Sequence, residues 1–186
     1  MAIPEIKTVR TIAQTRFFRI EELDLQFANG VARTYERLPG SGAAAVMVVA
    51  LNEDNELLLI REYAAGFHEI QLTLVKGSAE PGEPLDEAAN RELKEEVGFG
   101  ARRLEFIKKL NLAPTQMGFT INVFLGRDLY PEKLPADEPE PPELVTWPLA
   151  RLDELIASDE FREARAIAAL CLVRQKLLGE AKPVFS

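Results

Sequence analysis

The residues best suited to do chemistry are three glutamates near the middle of the chain, Glu92, Glu95 and Glu96. A helix advances by about 100° per residue, so spacings of three and four residues place these carboxylates side by side on one face. Like charges at this spacing repel one another by roughly 0.2–0.5 kcal/mol per pair, even when they are exposed. A divalent cation would offset this repulsion, and Mg²⁺ binds carboxylate oxygens together with substrate phosphates. The cluster is therefore a candidate metal site.

The apolar neighbours of the cluster distinguish two interpretations. On a helical wheel, Glu92 and Glu96 fall beside the stripe formed by Ala89, Leu93 and Val97. Carboxylates at the edge of an apolar stripe more often line a cleft than face bulk water. A purely solvated acidic helix remains the alternative, in which these charges serve no ligand. The edge position favours the metal site.

The flanking sequence predicts the elements that hold the cluster in place. A short strand at residues 68–75 leads into Gly77, where the chain must turn sharply. A helix is predicted over residues 84–97, because Pro84 is tolerated in a first turn and Gly98 is a natural C-terminal stop. This places the glutamates in the last two turns of a helix that follows a strand and a loop.

Strand and turn signals elsewhere predict the surrounding sheet. Strands interleaved with one central and two C-terminal helices favour a mixed sheet covered on both faces. The turn signal Asn29-Gly30 predicts a hairpin, so residues 1–42 form a small N-terminal β-hairpin lobe and residues 43–186 the main domain. The predicted strands are residues 17–28, 31–38, 43–51, 56–63, 68–75, 103–112, 118–126 and 144–148, and the C-terminal helices are residues 149–157 and 159–178.

Composition excludes several classes of function. The 186 residues include 22 Lys and Arg against 30 Asp and Glu, a net charge of −8, which argues against non-specific nucleic-acid binding. The chain has neither a signal-peptide pattern at its start nor an apolar run long enough to span a membrane, so a cytoplasmic protein is expected. Cys171 is the single cysteine, which rules out an intramolecular disulfide and suggests buried packing.

Two further stretches carry groups that suit a phosphorylated substrate. Residues 131–143 form an acidic, proline-rich loop, which is equally consistent with catalytic carboxylates and with a solvated tether. On the strand at 31–38, a period of two places Arg33, Tyr35 and Arg37 on one face, where they could grip a phosphate and stack a base. For this strand, an ordinary solvated surface is the stronger interpretation from the residues alone.

Residues 77–99 resemble the Nudix box, whose pattern is G-x5-E-x7-R-E-U-x-E-E-x-G-U, where U is bulky and aliphatic. The positions of the pattern are filled by Gly77, Glu83, Arg91, Glu92, Leu93, Glu95, Glu96, Gly98 and Phe99, with Phe99 a mild departure at the last position. The resemblance implies a Nudix-type α/β/α sandwich with a mixed central sheet. It also implies an enzyme that uses Mg²⁺ or Mn²⁺ to hydrolyse a nucleoside diphosphate linked to another group.

The resemblance implies roles for individual residues of the box. Glu92 and Glu96 are expected as the principal metal ligands, with Glu95 sharing or bridging the metal and standing as a candidate catalytic residue. The backbone carbonyl of Lys76 is an expected additional ligand. Glu83 and Arg91 are expected to orient the loop against the helix.

The general base is expected outside the box. ADP-ribose hydrolases of this family carry a Glu-x-Glu on the loop equivalent to residues 131–143. Carried over by position, Glu138 would deprotonate the water and Glu140 would reach the metal. The resemblance thus favours the catalytic interpretation of this loop.

The order of the lobe, the box, Pro114 and the Glu-x-Glu loop resembles the ADP-ribose pyrophosphatase branch of the family over nearly the whole chain. Shorter stretches, such as residues 59–64 and 137–141, resemble its bacterial ADP-compounds hydrolases more closely. This implies hydrolysis of ADP-ribose, diadenosine triphosphate and NADH to AMP. It also implies a homodimer formed through the N-terminal lobe, with Arg33 and Arg37 as candidates to contact the adenine half of the substrate.

Two departures leave the substrate preference open. Many ADP-ribose hydrolases have Gln-Tyr-Arg where this chain has Glu62-Tyr63-Ala64, and Glu-Leu-Pro-Ala where it has residues 73–76, Thr-Leu-Val-Lys. The post-box signature of NADH pyrophosphatases is also absent, which argues against strict NADH specificity. The alternatives are an enzyme of the same fold that removes damaged nucleoside triphosphates, a module that senses ADP-ribose without cleaving it, and an acidic interaction scaffold.

Overall fold

The computed structural model describes residues 2–40, 42–136 and 139–180. The chain forms two compact units, one of Met1–Gly42 with Asn111–Thr120 and the other of Ala43–Leu110 with Ile121–Ser186. Each unit has its own sheet, and the glutamate cluster belongs to the second.

The first unit contains a three-stranded antiparallel sheet in the order β1-β2-β3. The strands are β1 (Glu5–Gln14), β2 (Arg19–Gln26) and β3 (Ala32–Arg37). The turn between β2 and β3 contains Gly30 at φ +81°, a conformation that glycine adopts without strain, so the hairpin prediction is confirmed.

Strand β1 was missed by the sequence prediction. Its apolar residues Ile6, Val9 and Ile12 recur at every third position, although a strand repeats every second. The pairing with β2 is shifted between Ile6 and Thr8 and again between Thr11 and Ala13. Bulges of this kind add a residue to one strand and hide its alternation in the sequence.

The second unit is built on a mixed seven-stranded sheet. Its main path runs β10-β5-β4-β9-β8, with β6 beside β5 and β7 beside β4. Strand β4 is parallel to β9 and antiparallel to β5 and β7. The strands are β4 (Ala45–Leu51), β5 (Glu56–Ala64), β6 (Glu69–Thr73), β7 (Val75–Ser78), β8 (Phe99–Leu112), β9 (Phe119–Pro131) and β10 (Glu143–Pro148).

Helices cover both faces of this sheet. The helices are α1 (Leu85–Glu96), α2 (Leu152–Ile156), which follows a 3₁₀ turn at Leu149–Arg151, and α3 (Ala164–Glu180). The odd-numbered residues of β4 pack in one apolar core with α2 and α3, and its even-numbered residues pack in a second core with α1. The α/β/α sandwich with a mixed sheet is therefore confirmed.

Three local predictions were wrong. The strand expected at 68–75 is two strands, β6 and β7, separated at Leu74, and the second continues through Gly77 to Ser78. The last helix begins at Ala164, later than expected. Cys171 is exposed, because the helix turns it away from the face that buries Leu170 and Val173.

In the described part of the chain, no helix combines the length and the apolar character needed to cross a membrane.

Candidate active site

Helix α1 turns two of its glutamates inward. The helix ends where the N–H of Val97 donates to the Leu93 carbonyl at 3.0 Å, and Gly98 follows at φ +76°, as a C-terminal glycine does. The Glu92 and Glu96 residues are only 8% and 6% exposed. The alternative of a purely solvated acidic helix therefore does not describe these two residues.

Strand β7 approaches the helix closely at Gly77. A Cβ atom built on Gly77 would lie 2.0 Å from Cδ of Glu92 and 2.1 and 2.2 Å from its two carboxylate oxygens. The Glu92 carboxylate thus lies directly against the strand backbone. A side chain at position 77 would displace it, so the glycine that opens the box permits this contact.

Arg91 ties the loop before the helix to the helix itself. Its Nε and Nη2 donate to the two carboxylate oxygens of Glu83 at 3.0 and 3.1 Å, a bidentate pair. Nη2 also donates to the Ser78 carbonyl at 2.8 Å. The N–H of Glu80 donates to Glu83 at 2.8 Å, and the Arg91 guanidinium holds the pKa of Glu83 below its usual value.

The same guanidinium reaches the metal-site candidates. Nη1 of Arg91 donates to Glu92 at 2.9 Å and to Glu95 at 2.8 Å. The hydrogen bonds to its carboxylate partners, above all Glu83, raise the pKa of Arg91 further above its already high value. Two of the three clustered glutamates thus share one cation of the chain with Glu83.

Glu96 is in a different environment. Its Oε2 accepts a hydrogen bond from the backbone N–H of Lys76 at 3.3 Å. Burial raises the pKa of Glu96 to about 8; the charge of Lys76 opposes this shift, and the charges of Glu92 and Glu62 add to it. A cation bound nearby would act in the opposite direction and lower this pKa.

The donor types fit a hard divalent cation, although the ligands are not yet gathered around one point. As they stand in residues 2–40, 42–136 and 139–180, no three Asp, Glu, His or Cys side chains form a group that could hold a metal ion. Arg91 donates to one carboxylate oxygen of Glu92 and to one of Glu95. The donors are all oxygens and Glu96 is desolvated, which suits Mg²⁺-like chemistry.

Two models of known protein families match this chain. A model of the NUDIX domain matches residues 42–170, and a model of the NudE-type Nudix hydrolase N-terminal domain matches residues 4–37. This chain belongs to the Nudix hydrolase family. Nudix hydrolases generally use a divalent metal.

Similar proteins align with this Nudix chain over almost all of its length. The ADP compounds hydrolase NudE of Escherichia coli (strain K12) is 49% identical over 179 residues, which are 96% of each chain. The ADP-ribose pyrophosphatase of Bacillus subtilis (strain 168) is 27% identical over 90% of this chain and 93% of that protein. A crystal structure of an ADP compounds hydrolase superposes with a TM-score of 0.93 at 48% identity, covering 98% of both chains.

The structure places Lys76 beside the Nudix helix in an unexpected way. Its backbone N–H faces Glu96, and its ammonium donates to Glu62 on β5. Glu62 was absent from the predicted site. The sequence did show that positions 62 and 76 both depart from the ADP-ribose hydrolase pattern. It does not show that these two residues contact each other.

The loop that was expected to supply the base is only partly described. Glu138 lies outside the described residues, as does Asp137. Glu140 is exposed in the bend that follows. The roles assigned to Glu138 and Glu140 therefore stay predictions.

The two candidate substrate arginines lie on β3 of the first unit. Arg33 is exposed and donates to the Ala32 carbonyl at 2.8 Å. Arg37 forms an ion pair with Glu21, a residue only 7% exposed, through contacts of 2.9 and 3.0 Å. Arg37 already has a counter-ion, whereas Arg33 has a solvated side chain, and both roles stay predictions.

Proposed function

We propose that this Nudix hydrolase cleaves the pyrophosphate bond of ADP-linked compounds such as ADP-ribose, diadenosine triphosphate and NADH, releasing AMP with Mg²⁺ or Mn²⁺ as cofactor. The observation that carries this proposal is the pair of inward-facing carboxylates, Glu92 and Glu96, held where β7 has a glycine. The E. coli relative, an ADP compounds hydrolase that aligns over nearly the whole chain, supports the substrate class.

In the proposed reaction, a water oxygen adds to one phosphorus atom of the diphosphate and the P–O bond to the bridging oxygen breaks. The bound metal supplies charge neutralisation and lowers the pKa of water. Glu92 and Glu96 are the residues that would hold the metal, with Glu95 sharing or bridging it. Glu138 is the proposed acceptor of the water proton, Glu140 a further ligand and the Lys76 carbonyl another.

Arg91 has a separate part in this reaction. Its bidentate bond to Glu83 does not involve the proposed ligands, so it would hold the loop on the helix with a metal bound as well. This would keep the ligands in position, where small displacements are costly to the rate.

The test is a substrate panel with a matched pair of helix variants. We expect AMP release from ADP-ribose, diadenosine triphosphate or NADH with Mg²⁺ and none with EDTA. Glu96→Gln should lose most of the activity, whereas Glu87→Gln, a change at an exposed residue of the same helix, should keep it. Activity in EDTA, full activity of Glu96→Gln, or cleavage of nucleoside triphosphates alone would refute the proposed function.

We further propose that residues 1–42 act as a dimerisation and substrate-contact lobe for the catalytic domain at 43–186, in a homodimer that works in the cytoplasm. The exposed free cysteine, Cys171, suits a reducing compartment. Support for dimerisation comes from β1, an edge strand on which Ile6, Val9 and Ile12 are 50%, 49% and 48% exposed. Apolar side chains on an open edge strand favour pairing with another chain.

Light scattering tests the dimer. The wild type should have twice the mass of the chain, and Val9→Glu together with Ile12→Glu should reduce it to that of one chain. Ile3→Glu is the control, because Ile3 is 94% exposed and precedes β1. A monomeric wild type would contradict the proposal.

A further inference from the structure

The ion pair between Lys76 and Glu62 sits at the junction of two strands. Lys76 lies on β7, which pairs with β4 at Ala45–Val48, and Glu62 lies on β5, which pairs with β4 at Ala50–Leu51. The Lys76 ammonium donates to Oε1 of Glu62. The two side chains are 17% and 31% exposed, so the pair is shielded but reachable from solvent.

The pair adjoins the proposed metal ligands. The backbone N–H of Lys76 is bonded to Glu96. Gly77, the next residue, lies against the Glu92 carboxylate. Lys76 therefore lies on the stretch of β7 that borders the carboxylate cluster, and its side chain is only 17% exposed.

The two cations described in this cluster differ in how firmly they are held. Arg91 is bonded to three carboxylates and one carbonyl, those of Glu83, Glu92, Glu95 and Ser78. The Lys76 ammonium has one carboxylate partner among the described residues and carries three donors on a flexible stem. Of these two cations, Lys76 is the one that can change partner without breaking a larger network.

We propose that Lys76 binds the diphosphate of the substrate, and that Glu62 holds the ammonium until the phosphate displaces it. Moving from carboxylate to phosphate, the ammonium exchanges one charge-assisted hydrogen bond for another. Glu62 is exposed enough for water to solvate it afterwards, so the exchange leaves no buried unpaired charge. Lys76 acts at the site proposed above, and its role rests on that proposed function.

The charges at positions 62 and 76 support this assignment. The two residues carry opposite charges, and their side chains touch. A cation and its counter-ion therefore lie together on the strands that border the proposed metal ligands.

The experiment measures binding without hydrolysis. Inorganic pyrophosphate and ADP-ribose are titrated calorimetrically into the full-length protein in EDTA. Lys76→Met should weaken both affinities by about tenfold or more, and Lys76→Arg should recover most of the loss, since a charge-assisted bond is removed and then restored. The control is Lys94→Met, because Lys94 has the same 17% side-chain exposure and an ion pair with Glu132 at 3.0 Å.

Unchanged affinity in Lys76→Met, or an equal loss in Lys94→Met, would overturn the assignment. Glu62→Gln is a second, independent variant. It removes the competing carboxylate and should tighten pyrophosphate binding several-fold, so an unchanged or weaker affinity would also contradict it. This variant keeps the test decisive if Lys76→Met fails to fold.

Kinetics in Mg²⁺ separate this role from a purely structural one. Lys76→Met should raise the KM for ADP-ribose more than it lowers kcat, because the contact is made to the bound substrate. A fall in kcat alone would overturn the assignment. If the wild type cleaves no ADP-linked compound, the proposed function fails, whereas pyrophosphate binding still decides whether Lys76 is a phosphate ligand.

Discussion

The two ends of the acidic face of α1 are held by different groups. At one end, Arg91 binds Glu83 through two bonds and also reaches Glu92 and Glu95. At the other end, Glu96 is buried and accepts a 3.3 Å bond from a backbone N–H. The Arg91 end is a frame that the chain completes itself, whereas the Glu96 end is where we propose that an external cation binds. The contrast separates the residues that hold the site in shape from those proposed to take part in the reaction.

The largest effect is expected from a change at the strand between the two ends. Gly77→Ala would put a methyl group 2.0 Å from the Glu92 carboxylate, so either the ligand or β7 must move. We expect ADP-ribose hydrolysis to fall by about 100-fold, since ångström-scale misplacement costs that much. Gly66→Ala is the control, because a Cβ there meets no atom within 4 Å. Equal activities of the two variants would show that the close contact has no functional part.

A smaller effect is expected at the framed end. Arg91→Lys keeps the charge but loses the bidentate bond to Glu83 and the bond to the Ser78 carbonyl. Urea denaturation of the metal-free protein should show a loss of about 2 kcal/mol in the free energy of unfolding. Arg151→Lys changes an exposed pair with Glu154 and should leave stability unchanged. If both variants are as stable as the wild type, the bonds of Arg91 to the loop do not stabilise the fold.

The smallest effect is expected at Thr73, at the end of β6. Thr73 is 1% exposed, and its hydroxyl has no hydrogen-bond partner in the described residues. The guanidinium of Arg91, by contrast, is fully hydrogen-bonded to its carboxylate and carbonyl partners. Thr73→Val removes this hydroxyl at similar volume and should raise the free energy of unfolding by about 1 kcal/mol. In the control, Thr34→Val loses a bond to Asp24 and should not gain stability. A destabilised Thr73→Val would indicate that the hydroxyl is bonded after all.

The residues of the site were largely predictable from the sequence, whereas several of their contacts were not. The helix follows from its local pattern, and the resemblance implied that Glu83 and Arg91 orient the loop, but the bidentate bond between them is a finding of the structure. The contact between Lys76 and Glu62 depends on how β5 and β7 diverge along β4, which no local pattern encodes. The bond from Arg91 to Glu95, by contrast, is an i,i+4 pair within one helix, a spacing that the sequence shows.

The two sheets also differ in how well their strands can be predicted from the sequence. In the second unit, long apolar runs such as β4 stand out, because both faces of that strand are buried. In the first unit, β1 is exposed throughout and its alternation is broken by two register shifts, so hydrophobic periodicity gave no signal. Cys171 shows the related limit for helices, since an apolar stretch predicts burial without telling which side faces solvent.

Anomalous diffraction from crystals soaked in Mn²⁺ and AMP tests the central claim most directly. We predict a manganese peak within coordinating distance of Glu92 and Glu96, with the phosphate of AMP beside it and Arg91 still bonded to Glu83. A peak elsewhere, or no peak with Glu92 and Glu95 still bound to Arg91, would contradict the assignment of these glutamates as the metal ligands of the enzyme.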